Sequence, residues 1–481
     1  MLERWITDNE PSEKYPIYTR ANAGEVMPDP MSPLTGTLGM MHGGEAGWRD
    51  AYVRTGTLDH DELDDDRPNT IGCFGGYLYL NMSLTRIYGV RFPGLTPEMV
   101  DFQYFGTMPG IPPYVPRPSD DSPKHTALLQ EYLNWIFSVE DLPELRELAA
   151  EVDAIVAARP DLATVADDVL VERARALVPE YRRVFDQHIG TSGASGVAVG
   201  TVAGVCQAIG DPSLTMRLVG AAGDVDSAAP SYALWDMSRL VRNDAGLTAA
   251  FDSGVAGVLD RIDELTAESA AARKFVAATN EFVRCFGSRG PNEWEMRSHT
   301  WETRPELFLA AVDRMRLASD DESPTAKREA NAAVRDQLVA AVQPKLEGNP
   351  EALGQFLGGV RASLLFLPGR ERTKTANIKI VHEMRLPLRE LGRRMVERGV
   401  LDNVEQVFML RDDELDGFVA DPQKFVATVR ERERQYLELF EYEPPFIIAG
   451  DVPPLSQWPR RTAAGAEHVA AGTVLSGIPG C

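Results

Sequence analysis

The sequence predicts a mainly α-helical protein, a multi-helix body with a loop-rich N-terminal lobe that contains a few short strands. Three observations lead there. Past residue 119, apolar residues recur at three- and four-residue steps, the period of an amphipathic helix. Leu170, Ala174, Leu177, Tyr181, Val184 and His188 form one such stripe. Before residue 118 that period is missing, and Pro, Gly, Tyr and Met crowd the chain instead. Finally, 481 residues with 44% apolar and 25% charged types have the balance of an ordinary globular chain. The length allows two or three packed units.

The elements follow in order. Met27-Pro28-Asp29-Pro30-Met31-Ser32-Pro33 cannot be helix interior, because proline lacks a donor and restricts the residue before it. Gly75-Gly76 followed by Tyr77-Leu78-Tyr79-Leu80-Asn81 reads as a short strand leaving a glycine turn. The proline-rich run from Met108 to Pro118 is a linker. In the body, Gly190-Thr191-Ser192-Gly193-Ala194-Ser195-Gly196 lacks the lysine of a phosphate loop and reads as small residues for close helix packing. Ala278, Phe282 and Phe286 mark a helix that breaks at Gly287. A further helix is expected to begin near Gly369, and Asp421-Pro422 to open another. The expected divisions are residues 1–118 for the lobe, 119–450 for the helical body, and 451–481 for a linker into a further unit.

Composition excludes several function classes. Forty-nine Lys and Arg against 72 Asp and Glu leave a net charge of −23, which repels nucleic-acid phosphates and anionic lipid. No nucleic-acid or membrane partner is expected. No run reaches the ~18 uninterrupted apolar residues of a spanning helix, and Met1 to Trp5 carry no apolar leader. Cys73, Cys206, Cys285 and Cys481 are widely spaced, which fits reduced thiols and a cytoplasmic setting. His42, His60, His125, His188, His299, His382 and His468 show no paired ligand spacing on a helix, so no metal site is expected.

Two segments carry chemistry. In the first, Arg289 follows the break at Gly287, with Glu293 and Glu295 close behind. A guanidinium held by Glu293 can present its remaining donors to an anion, or the pair can simply pin the loop. In the second, Pro368-Gly369-Arg370-Glu371-Arg372-Thr373-Lys374, Arg370 and Lys374 fall one helical turn apart. Like charges at that spacing repel by a few tenths of a kcal/mol, a penalty that a bound phosphoryl group removes. The alternative is a solvated basic face.

Together these segments resemble the multidomain phosphotransferases related to phosphoenolpyruvate synthase, in particular the rifampin phosphotransferase and aryl-phosphate synthase branch that phosphorylates phenol or p-cresol. The resemblance rests on Thr19-Arg20-Ala21-Asn22-Ala23-Gly24-Glu25 with Pro28, Pro30 and Ser32-Pro33-Leu34-Thr35, and on Tyr79-Leu80-Asn81. It continues through Gly287-x-Arg289-Gly290-x-x-Glu293, Trp301-x-x-x-Pro305, Arg370-Glu371-x-x-Lys374, and the run from Gly399 to Leu415. Leu475 to Gly480 is similar to the opening of that family's swivelling domain, although the sequence stops before its histidine.

The resemblance implies an acceptor-binding component of an ATP-dependent, dikinase-like enzyme. ATP and Mg are expected on a partner domain or subunit, none on this chain. A phosphohistidine on a swivelling domain would deliver the phosphoryl group to the hydroxyl of a small aromatic compound. Arg370 and Lys374 would neutralise phosphoryl oxygens, with Arg289 and Glu293 beside them. No base stands out: His382 falls ~18 Å along the helix from Arg370, and His299, in the loop after Arg289, is better placed. Met27, Met31, Tyr77, Tyr79, Met82 and Tyr104 would line an apolar pocket, their alternative being core packing. Two other readings are a rifamycin-type antibiotic phosphotransferase and a non-catalytic helical binding protein of the same fold.

Overall fold

In the computed structural model, residues 3–220, 226 and 228–461 are described, and 66% of the chain is helical against 4% strand. The mainly α class is as the sequence predicts. Leu475 to Gly480 lie outside the described residues.

The strands form one four-stranded antiparallel sheet of order β2-β3-β1-β4, with β1 at Ile17–Thr19, β2 at Ile71–Phe74, β3 at Tyr77–Asn81 and β4 at Ile447–Ala449. Strands β2 and β3 are a hairpin with Phe74 opposite Tyr77. Gly75 and Gly76 between them have φ of 56° and 79°, the left-handed values that a two-residue hairpin turn requires. Strand β4 pairs with β1, Ile448 opposite Tyr18, so the end of the helical body closes the sheet of the N-terminal lobe. Trp458, within the segment expected as linker, packs into the same core as Tyr77.

Two long helices make the frame of the body. Helices α1 (Asp167–Ala176) and α2 (Val178–Ala208) carry the stripe that ends at His188, and Leu170, Ala174, Tyr181 and Val184 are all buried. This pair holds an 18-residue window of mean hydropathy 1.3, long and apolar enough to cross a membrane by length and composition, and 44% of it is buried inside the fold. Of its small residues, Ala194 and Ala198 are fully buried. A side chain at Gly190 would meet the Arg54 guanidinium at 2.5 Å, whereas Gly193 and Gly196 face open space. Close packing thus holds for part of that segment.

Helix α5 (Pro350–Glu397) packs along α2 for much of its length. It is 48 residues long and runs through both Pro368 and Pro387, so the expected start near Gly369 is corrected. A proline removes one i→i−4 bond, and here the burial of Phe366, Thr373, Asn377 and Ile378 on either side of the site outweighs that loss.

A satellite core lies between these frame helices in sequence. Helix α3 (Ala270–Phe286) and α4 (Glu306–Arg316) bury Phe275, Phe282, Phe308 and Val312 together, apart from the main core. The break after Phe286 falls where expected. From there the segment 287–305 leaves the satellite, inserts Trp294 and Met296 into the main core, and returns with the Trp301 ring tilted against Phe282, 5.4 Å between centroids.

Candidate active site

The 287–305 segment is a loop folded back on itself. Trp301 N donates to Arg289 O at 2.8 Å, and Glu302 N to Gly287 O at 3.0 Å. A Cβ at Gly290 would lie 2.8 Å from His299 O, so glycine is what lets the two runs approach. Glu295 anchors the loop to the N-terminal lobe. Its buried carboxylate accepts from the Ser32 hydroxyl at 2.5 Å, the Ser32 amide at 3.0 Å and the Thr35 hydroxyl at 2.7 Å. The Ser32-Pro33-Leu34-Thr35 motif is therefore a buried clasp. Arg385, fully buried on α5, donates to the carbonyls of Glu293, Glu295 and Met296 and fixes the other side.

So held, the loop presents Arg289 and Glu293 to α5. Arg289 Nε sits 2.7 Å from Glu293 Oε2, and its Nη1 donates to Thr375 Oγ1 at 3.3 Å. Lys374 Nζ lies 3.4 Å from the other Glu293 oxygen. Glu293 thus bridges a cation from the loop and one from α5, and Lys374 keeps 31% of its side-chain surface exposed. Arg370 is one turn earlier on α5, well inside the helix, so no helix N-terminus adds positive charge to the cluster.

The fifth member is His188, which the sequence marked only as the end of a buried stripe. Its Nδ1 lies 3.1 Å from Thr373 Oγ1. That hydroxyl donates to the carbonyls of Gly369 and Arg370, at 3.1 and 2.9 Å. Burial and then the charges of Arg370 and Lys374 push the His188 imidazole down to about 3, so it is neutral near pH 7. The rings of Phe185 and Trp294 each stand 6.1 Å from it and 5.8 Å from each other, a three-ring cluster. Spacing within one helix could not reveal the site, because its partners come from α2, α5 and the loop.

The other sequence candidates fall elsewhere. His299 faces Glu405, at 3.4 Å, with Arg389 between them on a later part of α5. His382 is buried and fully partnered, its Nε2 2.9 Å from Glu302 and its Nδ1 accepting from Arg385 at 3.2 Å. Met27, Met31, Tyr77, Tyr79 and Met82 have no exposed surface. Tyr77 and Tyr79 donate to the carbonyls of Leu439 and Pro445, and the Arg20 guanidinium lies 5.2 and 5.8 Å from their ring centroids. Tyr104 is partly buried near Phe105. Folding also gathers Asp59, Glu62 and His125 in a group of metal-ligand type that their sequence spacing hides. Lys124 and Arg91 already ion-pair with its two carboxylates.

Comparisons with known proteins bear on the same region. Residues 187–371 match the family model described as the rifampicin phosphotransferase fourth domain. That span opens beside His188 and closes beside Arg370, and it contains Arg289 and Glu293. Over 484 aligned residues the chain is 24% identical to an uncharacterized protein of Mycobacterium bovis, covering 97% of this chain and 51% of the relative. Two uncharacterized proteins of Mycobacterium tuberculosis match with the same figures. The chain therefore spans about half the length of the curated relatives it matches.

Proposed function

We propose that this chain is the acceptor-binding component of an ATP-dependent, dikinase-like phosphotransferase, in which a phosphohistidine supplied by a partner domain or subunit gives its phosphoryl group to the hydroxyl of an aromatic compound of phenol or p-cresol type. The observation that carries this reading is the meeting of Arg289 and Lys374 on Glu293, with Arg370 one turn before Lys374, at the edge of a span, residues 187–371, that resembles a phosphotransferase domain. Phosphoryl transfer asks little covalent chemistry of a protein; positioning and neutralising the equatorial oxygens do most of the work. Lys374, held by Glu293 yet partly exposed, suits that role, with Arg370 one turn before it. Arg289 acts from the loop side. ATP and Mg belong, on this reading, to the partner that makes the phosphohistidine.

Five of the residues expected as an apolar wall, all but Tyr104, have no exposed surface. The Phe185 and Trp294 rings, themselves nearly buried, adjoin His188 next to the cations and are the aromatic groups nearest them on this reading. A second acceptor class, a rifamycin-type antibiotic, is favoured by the description of the matched family model. The test is incubation of the chain and its phosphohistidine partner with ATP and phenol, p-cresol or rifampin, followed by mass spectrometry. An aryl phosphate alone supports the first reading and a phosphorylated rifamycin the second. No phosphorylated product from any acceptor defeats both.

A further inference from the structure

We propose that His188 is the general base that takes the acceptor's hydroxyl proton, with Thr373 positioning its ring; the inference deepens, and rests on, the phosphotransfer reading above. The hydrogen-bond bookkeeping carries it. Thr373 Oγ1 spends its only hydrogen on the Gly369 and Arg370 carbonyls, one turn back along α5. Toward His188 it can only accept, so the proton of the neutral imidazole is on Nδ1 and the lone pair on Nε2. The ring's hydrogen bond to Thr373 is made at Nδ1, the Arg370 carbonyl also approaches the imidazole, and the Phe185 and Trp294 ring centroids lie 6.1 Å away. One turn along α2, the buried Ser192 hydroxyl has no partner among the described residues, and Gly196 beyond it faces open space. The lone pair thus lies on a ring one turn from an unpartnered buried hydroxyl, with Arg370 and Lys374 acting on it from α5.

The surrounding charges make the base respond to its substrate. The groups facing it are Arg370 and Lys374 from α5 and, beyond them, Arg289 and Glu293 from the loop. In the free protein burial and the two α5 cations keep His188 neutral and weakly basic. A phosphoryl dianion between those cations cancels their effect and raises the basicity of Nε2 when transfer needs it. In the step itself, the acceptor oxygen forms its bond to phosphorus as its proton passes to Nε2 and the P–N bond of the donor breaks. The P–N electron pair stays on the leaving nitrogen, which takes a proton from solvent. His188 then returns its own proton to solvent.

The test uses the full chain with phosphoramidate as the P–N donor, p-cresol as the hydroxyl and inorganic phosphate as the binding probe. His188→Asn is the first variant, since its amide can still donate to Thr373 while lacking the Nε2 lone pair. It is expected to lower kcat for p-cresyl phosphate by ~10²-fold or more, leave KM and phosphate binding within ~2-fold, and remove the acid limb of the wild-type kcat profile. Unchanged kcat and pH profile in His188→Asn overturn the proposal and leave the transfer reading intact. No p-cresyl phosphate from the wild type fails the transfer reading instead. The assignment of the base is then decided by nitrogen-15 NMR of the His188 ring, which needs no turnover and also covers a variant that does not fold. Nε2 unprotonated in the free protein, with a titration midpoint that rises on adding phosphate, supports it. A proton on Nε2, or a midpoint that phosphate does not move, overturns it. Thr373→Val is expected to mix the two tautomers and lower kcat without changing KM.

Discussion

Replacing Lys374 by alanine separates a phosphoryl-binding role from a structural one, because the structure assigns the two very different sizes. The structural share is small. Lys374 Nζ is 3.4 Å from Glu293 with nearly a third of its side chain exposed, and pairs of that kind contribute at most ~1 kcal/mol. Glu293 is not orphaned by the change, since Arg289 Nε remains 2.7 Å from its other oxygen. The functional share is larger: a donor aimed at charge that develops in the transition state accounts for ~10²–10³ in rate, or roughly 3–4 kcal/mol. Lys374→Ala is therefore expected to unfold within ~1 kcal/mol of the wild type by urea titration, yet to lose at least ~10²-fold in phosphoryl transfer at saturating acceptor. Lys374→Arg should recover part of the rate, because a cation returns in a different shape. Near-normal turnover in Lys374→Ala refutes the reasoning. So does a stability loss of several kcal/mol, which would make the lysine a structural residue.

Three further outcomes follow from the packing around the site. A Cβ at Gly43 would overlap the buried Tyr181 ring, so Gly43→Ala is expected to destabilise the fold by ~1–3 kcal/mol, seen as a lower Tm. Glu295→Gln leaves the Ser32 and Thr35 donors facing a neutral amide, at a cost of about 2–3 kcal/mol, and should expose the 287–305 loop to faster proteolysis. Acid should destabilise the protein below pH 6.5. Burial pushes His382 down to about 4 and His188 to about 3, so the unfolded chain binds these protons first. For both groups the stabilisation is whole above 6.5 and lost as pH falls towards those values. Chemical denaturation at a series of pH values checks this, and a flat profile between pH 7 and 4 would contradict it.

What the sequence made legible was what is local. The stripe from Leu170 to Val184, the strand at Tyr77–Asn81 and the helix stop after Phe286 all depend on periodicity or glycine within a dozen residues, and each appears in the structure. The start expected near Gly369 failed for a related reason. Proline and glycine are local stop signals, and only the long contact with α2 explains why the helix continues through them. The aromatic and methionine residues of the lobe were ambiguous because a pocket wall and a core use the same side chains. Their tertiary partners were out of reach of the sequence, as when Tyr79 Oη reaches the Pro445 carbonyl 366 residues away.

The site itself shows the limit most sharply. Arg370 with Lys374, and Arg289 with Glu293, could each be found as a spacing within one segment. That Glu293 joins the two pairs could not, since 81 residues separate it from Lys374 and the loop must first be clasped by Ser32, Thr35 and Arg385. His188 left still less trace. At the end of an apolar stripe it reads as one more buried position. What distinguishes it is a hydroxyl on another helix whose hydrogen is already spent, and that follows from Thr373 lying inside α5 with carbonyls one turn behind it. The tautomer of one histidine thus depends on a helix running through Pro368 unbroken. A break there would free the Thr373 hydrogen, and the lone pair at Nε2 would no longer be dictated.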